Sequence, residues 1–595
     1  MNTGNPEIKR IIVNNLTNAG INISPSMLEL ILKIDNPIEK LNIIIKQLSF
    51  IPTFNSHLTE NILKKISDKE IQKILKRATF REKIYSSEDA VKVKDDTLKK
   101  SNEVIDNDNL LIHKSEITEN IPKTKNSVKI KEKQPRKIKK TKASLTKLIK
   151  KKVKITHMES TKSAFSFKPS AKDFNFNYKI LRDPTGKLYT NGGYNDFYEL
   201  TLDKFNRLRN LMKKRPEALS ATNIINILRN SQSVNISTTG LVNEMRETKK
   251  GNYFLTIEDM TGSINVLVRK DSENQESRKL VEKTINDQMI FVQGNYRPPG
   301  DHGGKGIIFA NSISKIDIPT DHSPNLSPDP VSIALISDSH IGSKEFEEKL
   351  MLRFIKFLKG KIGNKNFREI AGRVKYIIIN GDLVDGVGVY PAQKEDLNIS
   401  DIYQQYKKAA EFLSEIPDYI KVFYSSGNHD PVRNAIPRPA VPAKYTEDLI
   451  NLDIKCLGNP CVIKTHNVST LVFHGDSMID MNMLVPGLEN NKPVDTMKEL
   501  LICRHMAPIF GKKTQIAPVN RDWLVIDKVP DIFHTGHIHI NGMGRYRGVS
   551  LVNSGCFQSQ TQFMAAFGIR PTPGIVPIVE LDSLQGIEID LKKFD

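Results

Sequence analysis

The chain has little cysteine, a single tryptophan and no long apolar run. Its four cysteines, Cys456, Cys461, Cys503 and Cys556, form no CxxC pair. That spacing argues against a structural zinc cluster and reads as reduced thiols. No stretch approaches the ~18–20 apolar residues of a membrane span. Residues 1–10 lack the apolar core of a secretory signal. These absences point to a cytoplasmic protein with no membrane partner. Acid is scarce in one segment. Residues 123–154 hold 15 Lys/Arg and one acid, Glu132, and supply +14 of the chain's formal +20. Such a run suits a polyanionic partner such as nucleic acid, and equally a solvated linker.

At 595 residues the chain is too long for one core. Residues 1–80 read as short helices forming a small interaction domain. Ile8, Ile11, Ile12 and Leu16 are spaced for one helical face. Ser24-Pro25 and Asn36-Pro37 look like N-caps followed by proline, and Ser67 to Glu70 fits a capping box. Residues 81–168 are polar and almost free of aromatics before Phe165, which predicts a disordered Lys-rich linker. Residues 169–231 regain aromatics and form an adaptor, with a helix expected over 202–214.

Residues 232–320 read as all-β. Strands are expected over 234–242, 253–257, 264–268, 289–293 and 307–310, with Asp259 to Gly262 as a turn. Five short strands fit an OB-type barrel. Tyr253, Arg269, Tyr296 and Arg297 are its candidate nucleic-acid contacts, because such barrels bind single strands through aromatics and cations. Docking another subunit is the plainer use of the same barrel. Residues 321–595 alternate β and α patterns, which predicts an α/β layered domain whose sheet is covered on both faces. The fold class is thus multidomain: helical module, all-β barrel, α/β layered domain.

Five motifs in the last domain carry the chemistry. They are Asp338-Ser-His340, Gly381-Asp382-Leu-Val-Asp385, Gly427-Asn428-His429-Asp430, His474-Gly475-Asp476 and Gly536-His537-Ile-His539. Each follows or ends an apolar strand, where ligands collect in open α/β sheets. Singly Asp-x-His and Gly-His-x-His say little and Gly427 to Asp430 somewhat more; together the five supply ligands for two adjacent metal ions. Asp382 can bridge, one oxygen to each cation. Asp338 and His340 take the first ion with one imidazole of the last motif; Asn428, His474 and the other imidazole take the second. His537 and His539 can both enter one crevice only if the chain there is irregular. Mixed nitrogen and oxygen ligands suit manganese, iron or zinc better than calcium. His429 faces the substrate as the candidate catalytic acid. Asp385 or Asp430 can orient an imidazole, while Asp476 has only nearby backbone as an expected partner. His302, His322, His466 and His505 lie outside any motif.

These motifs resemble the calcineurin-like metallophosphoesterase superfamily over roughly 331–580. Its protein phosphatases carry Gly-Asp-x-x-Asp-Arg-Gly and Gly-Asn-His-Glu. Here Gly386 follows Asp385 and Asp430 replaces the Glu, so the nuclease branch fits better. The module order, with Ser170 to Asp173, Asp183 to Gly186, Asp196-Phe197 and Phe473 to Gly475, resembles the small subunits of archaeal D-family DNA polymerases. That resemblance implies a 3′→5′ proofreading exonuclease with two divalent metals, manganese ahead of iron or zinc, a large catalytic polymerase subunit as partner, and DNA with a 3′ end as substrate. It implies Asp338, His340, Asp382, Asn428, His474, His537 and His539 as ligands and His429 as catalytic. The alternative is a catalytically silent scaffold subunit that assembles the polymerase and binds DNA. A phosphomonoesterase is a third reading, disfavoured by the barrel and the basic segment.

Overall fold

The structure, a computed structural model, describes residues 167–271, 274–300, 306–566 and 568–594, with scattered positions between 8 and 72. The chain divides into two compact units, Met1–Leu148 and Ile149–Asp595. The expected linker over 81–168 lies almost wholly outside the described residues, as do His302 and the Ser24-Pro25 cap.

In the first unit a helix runs over Pro37–Leu48, starting at the proline after Asn36. Its Leu41, Ile44 and Leu48 pack with Ile12, Leu16, Ile31 and Leu63. Ile11 is 39% exposed, so it leaves the apolar face expected of it, whereas Ile12 and Leu16 are fully buried.

The second unit opens with strand β1 (Tyr178–Arg182). A helix over Tyr194–Met212 follows, two turns longer at its start than expected. Asp196 explains the extension, because its Oδ2 accepts hydrogen bonds from Thr190 Oγ1 (3.0 Å) and the amides of Asn191 (2.9 Å) and Gly193 (3.2 Å). Next come β2 (Val234–Glu247), β3 (Tyr253–Asp259), β4 (Gly262–Val268), β5 (Met289–Arg297) and β6 (Ile307–Lys315), which close a barrel in the order β2-β3-β4-β6-β5. The Asp259 side chain accepts from the amides of Thr261 (2.7 Å) and Gly262 (3.1 Å), fixing the β3–β4 turn. Phe205, Leu208 and Met212 of the long helix meet Leu241, Met289 and Phe291 of the barrel and Val525 beyond it. The helix therefore wedges the barrel to the α/β half.

The remaining strands are β7 (Ser332–Ile336), β8 (Val374–Asn380), β9 (Lys421–Ser425), β10 (Lys455–Leu457), β11 (Cys461–Thr465), β12 (Val468–Val472), β13 (Ile532–Thr535), β14 (Gly542–Tyr546), β15 (Val549–Asn553), β16 (Ile575–Glu580) and β17 (Gly586–Asp590). They make two six-stranded sheets, ordered β10-β9-β8-β7-β16-β17 and β14-β15-β13-β12-β11-β1. The expected single sheet is thus two, each covered on both faces, by helices outside and by the other sheet inside. Ile333, Leu335, Tyr376, Ile378 and Phe423 of the first sheet pack on Ile463, Val472, Ile532 and Val552 of the second. Helices cover only the outer faces: Glu348–Leu358 and Ile402–Ser414 on one side, Met478–Leu484 and Pro493–Cys503 on the other. Strand β1 pairs antiparallel with β11, so the adaptor region supplies an edge strand of the sandwich.

Gly294 sits where the β5–β6 register shifts, and a Cβ there would run into the Phe309 carbonyl and the Ala310 Cα. The obstacle is the backbone of β6, which cannot swing aside as a side chain can. Gly294→Ala should therefore lower barrel stability by about 1–3 kcal/mol, read as an earlier denaturant midpoint. An unchanged midpoint would contradict the packing described.

Candidate metal centre

Strands β7, β8 and β9 run parallel in the first sheet, and β12 and β13 run parallel in the second. Asp338, Asp382 and Asn428 follow the carboxyl ends of the first three; His474 and His537 follow those of the other two. Both sheets thus deliver side chains to one crevice. The turns that do so are tight. Asp338, His340, Asp382, His537 and His539 all have φ between 49° and 68°. Each such residue costs on the order of 1 kcal/mol. This is the irregularity that lets His537 and His539, two residues apart, both face inward.

The donor atoms fall into groups within 4.8 Å of one another: Asp338, His340 and His539; Asp382, His474 and His537; and His340, Asp385 and His429. The first two groups separate the imidazoles of the last motif, His539 joining His340 and His537 joining His474. The carboxylates are buried. Asn428, His429 and His537 are partly exposed and form the mouth.

Hydrogen bonding fixes the tautomers. His474 Nδ1 lies 2.9 Å from the Asn380 carbonyl, which can only accept, so Nδ1 carries the proton and Nε2 the lone pair of the neutral ring. That Nε2 faces Asn428 Oδ1 at 3.0 Å, Asp382 Oδ2 at 3.2 Å and His537 Nδ1 at 3.3 Å. Likewise His340 Nδ1 donates to Asp385 Oδ1 (2.9 Å), and its Nε2 stands 3.2 Å from His539 Nε2 and 3.8 Å from Asp382 Oδ2. Asp338 Oδ1 is buried without a hydrogen-bond partner, 3.4 Å from His539 Nε2. Electron-rich atoms converging this closely need a positive charge among them. The mixed nitrogen and oxygen set fits a divalent transition cation.

The electrostatics agree. Burial alone would raise the Asp338 and Asp382 carboxyls. Instead His539 and His474 bring Asp338 down to about 2, and His474 and His429 hold Asp382 well below the carboxylate range. Burial would lower His474, yet Asp382 and Asp338 raise it to about 10, so without a cation its Nε2 carries a proton, and a metal ion would take that proton's place between the carboxylates. Burial and the His474 charge push His537 down to about 4, and burial with His429 lowers His340, so both keep lone pairs at neutral pH.

The supporting residues divide the work differently from expectation. Asp385 orients His340 through its carboxylate, and its backbone oxygen accepts from His429 Nδ1 (2.8 Å). Asp430 orients no imidazole. Its Oδ2 accepts the amides of Asp382 (3.0 Å) and Gly427 (2.7 Å), and its Oδ1 accepts the Tyr406 hydroxyl (2.9 Å). It therefore shapes the Asp382 turn. Asp476 does not bond nearby backbone but forms a two-pronged ion pair with Arg438, at 3.0 and 2.5 Å. Burial would raise its carboxyl; Arg438 overrides this and holds it well below the usual range. Asn380, Gln393 and Gln558 were not singled out by sequence; of these Asn380, directly before Gly381-Asp382, had a positional signal. His466 pairs with Asp329 and His505 with Asp522, each at 2.8 Å and away from the crevice.

On the barrel the four expected contact residues are not one surface. Tyr296 is fully buried in the barrel core, so it offers no face to a base. The Tyr253 ring is covered by Arg278 at 4.8 Å. Arg269 and Arg297 remain exposed and lie over Phe309, at 5.6 and 4.4 Å.

If the crevice takes cations, Mn²⁺ at a hundredfold excess over Kd raises the unfolding free energy by about 2.7 kcal/mol, read as a higher midpoint, and chelation reverses it. Asp338→Ala should lose that increment. Wild-type protein indifferent to Mn²⁺ would contradict the fit.

A calcineurin-like phosphoesterase family model matches residues 331–541. The DNA polymerase II small subunit of Methanothermobacter thermautotrophicus is 38% identical over 421 residues, 71% of this chain and 84% of that protein. The small subunit from Pyrococcus furiosus is 39% identical over 66% of this chain and 63% of that protein. That from Methanocaldococcus jannaschii is 39% identical over 69% and 68%. With a phosphoesterase domain built on these strands and relatives matched along most of their length, the chain belongs to the DNA polymerase II small subunit family.

Proposed function

We propose that this chain is the small subunit of a two-subunit replicative DNA polymerase and carries a two-metal 3′→5′ exonuclease for proofreading. Polymerisation needs a large catalytic subunit, the partner that the relatives' name entails. The observation that carries the reading is the convergence of His474 Nε2, Asp382 Oδ2, Asn428 Oδ1 and His537 Nδ1 beside Asp338, His340 and His539. A scaffold needs no such crowding of buried charge, which burial makes costly unless a ligand offsets it.

Asp338, His340 and His539 would hold one cation, and Asn428, His474 and His537 the other, with Asp382 shared. Manganese suits the set, with iron or zinc as alternatives. Two such cations supply Lewis-acid stabilisation of the phosphate and activation of the attacking water. The protein's own residues do the rest. Asp385 fixes the His340 and His429 rings. His429, its Nδ1 proton committed to the Asp385 carbonyl, has Nε2 left to deliver a proton to the leaving oxygen. The buried carboxylates keep the floor of the crevice anionic, so an incoming diester is bound only with cations present.

We read the barrel as OB-type and assign DNA contact to a different surface from Tyr253 and Tyr296. Arg246, Phe254, Leu267 and Phe309 are cross-strand neighbours in one row on β2, β3, β4 and β6. Arg246 lies over Phe254 at 5.0 Å, as Arg269 and Arg297 lie over Phe309. A row of flat apolar groups edged by guanidinium suits a single strand.

The decisive assay incubates the chain with its large subunit, Mn²⁺ and 5′-labelled single strands. Stepwise shortening from the 3′ end is expected. Asp338→Ala should abolish it, and His429→Ala should cut kcat by about 10²–10⁴ while leaving Mn²⁺ binding in place. Metal-loaded protein that leaves every 3′ end intact would refute the exonuclease reading in favour of the scaffold.

A further inference from the structure

Next to the candidate centre, the segment from Gly386 to Gln393 carries two exposed apolar side chains, Val387 (49%) and Tyr390 (37%). Exposed apolar groups on an irregular loop are ordinarily left mobile. Here two buried glutamines tie the loop down. Gln405 Oε1 accepts the Gly386 amide (2.9 Å), and its Nε2 donates to the Gly386 carbonyl (3.1 Å) and the Ile399 carbonyl (2.7 Å). Gln393 Oε1 accepts the Val389 amide (2.8 Å), while its Nε2 donates to the backbone oxygen and to Oδ2 of Asp385, at 2.8 and 2.7 Å. Gly386 and Gly388, at φ of 78° and 76°, permit the turn.

The loop is therefore locked to Asp385, the residue that also fixes His340 and His429. At its tip the Tyr390 ring stands edge-on to His429, with centroids 6.4 Å apart and planes at 61°. The Tyr390 hydroxyl is held by Asp396 Oδ2 at 3.1 Å, which restrains rotation of the ring. An aromatic face is thus held at the mouth of the crevice, beside the group assigned to the leaving oxygen. Preorganisation of this kind lowers the ordering cost of a stacking contact.

We propose that Tyr390 is a nucleobase-binding residue, stacking on the base of a nucleotide that flanks the scissile phosphodiester. This rests on the nuclease reading and adds to it a recognition element for the base. It also gives the loop a reason to be clamped. Stacking is sequence-tolerant, as removal of any mispaired nucleotide requires.

The test compares wild type, Y390F and Y390A, each with the large subunit and Mn²⁺. The substrates are single strands ending in a normal 3′ nucleotide, the same strands with an abasic 3′ end, and methyl p-nitrophenyl phosphate. Y390A should raise KM for normal DNA roughly tenfold or more, with turnover of the small diester unchanged. Y390F keeps the ring but loses the Asp396 anchor, so its KM for normal DNA should fall between wild type and Y390A. The penalty should shrink on abasic ends, where the wild type has no base to stack. An equal loss by Y390A on DNA and on the small diester would overturn the proposal, because it would mean that Tyr390 merely positions His429. So would unaltered KM for DNA. Wild-type protein inert on every diester would overturn the nuclease reading, and this proposal with it.

Discussion

Everything at the crevice depends on where Asp382 is held. Its carboxylate lies 3.2 Å from the His474 nitrogen and 3.8 Å from the His340 nitrogen, within reach of both donor groups. The backbone that puts it there is left-handed and strained, and Asp430 steadies the turn by accepting the amides of both Asp382 and Gly427. Gly427 in turn has to be glycine, since a Cβ would strike the Asp382 carboxylate and amide. Tyr406 from the helix layer and Tyr424 from strand β9 close this arrangement, their hydroxyls 3.0 Å apart beneath Asp430. A buried chain of hydrogen bonds therefore runs from the helix layer through Asp430 to the Asp382 amide. Leaving either amide unpaired would cost about 1–3 kcal/mol.

That dependence explains why two sheets are needed. One parallel sheet could supply Asp338, Asp382 and Asn428 from neighbouring strand ends. The imidazoles of His474, His537 and His539 arrive from the second, so the site exists only because the sheets pack face to face with their carboxyl ends aligned. Asn380 shows the coupling directly. At the end of β8 in the first sheet, it donates to the Phe473 carbonyl (2.8 Å) beside β12, while its own carbonyl fixes the His474 ring.

Much of this was legible in the sequence, for physical reasons. Motifs of carboxylate, amide and imidazole directly after apolar runs mark strand ends, and the structure gathers Asp338, His340, Asp382, Asn428, His429, His474, His537 and His539, though not Asp430 or Asp476. The barrel strands were legible because polar and apolar residues alternate along them. The second sheet was not. Every residue of β7, β8 and β9 is buried, so the pattern cannot say whether helix or sheet lies on a given face. The Arg438–Asp476 pair joins residues 38 apart through a fold the sequence does not display. Tyr296 misled because one residue of register decides whether an aromatic in a strand faces core or solvent. Gln393 and Gln405 carry no motif at all; their importance lies in which amides they satisfy.

The proposed two-metal centre requires Asp382 to lie between two cations. The most direct measurement is the electron paramagnetic resonance spectrum of the Mn²⁺-titrated chain. Two bound ions sharing a carboxylate should give an exchange-coupled signal at saturation, replaced by isolated Mn²⁺ features in Asp382→Asn. A wild-type spectrum that shows isolated ions at every loading would contradict the two-metal centre.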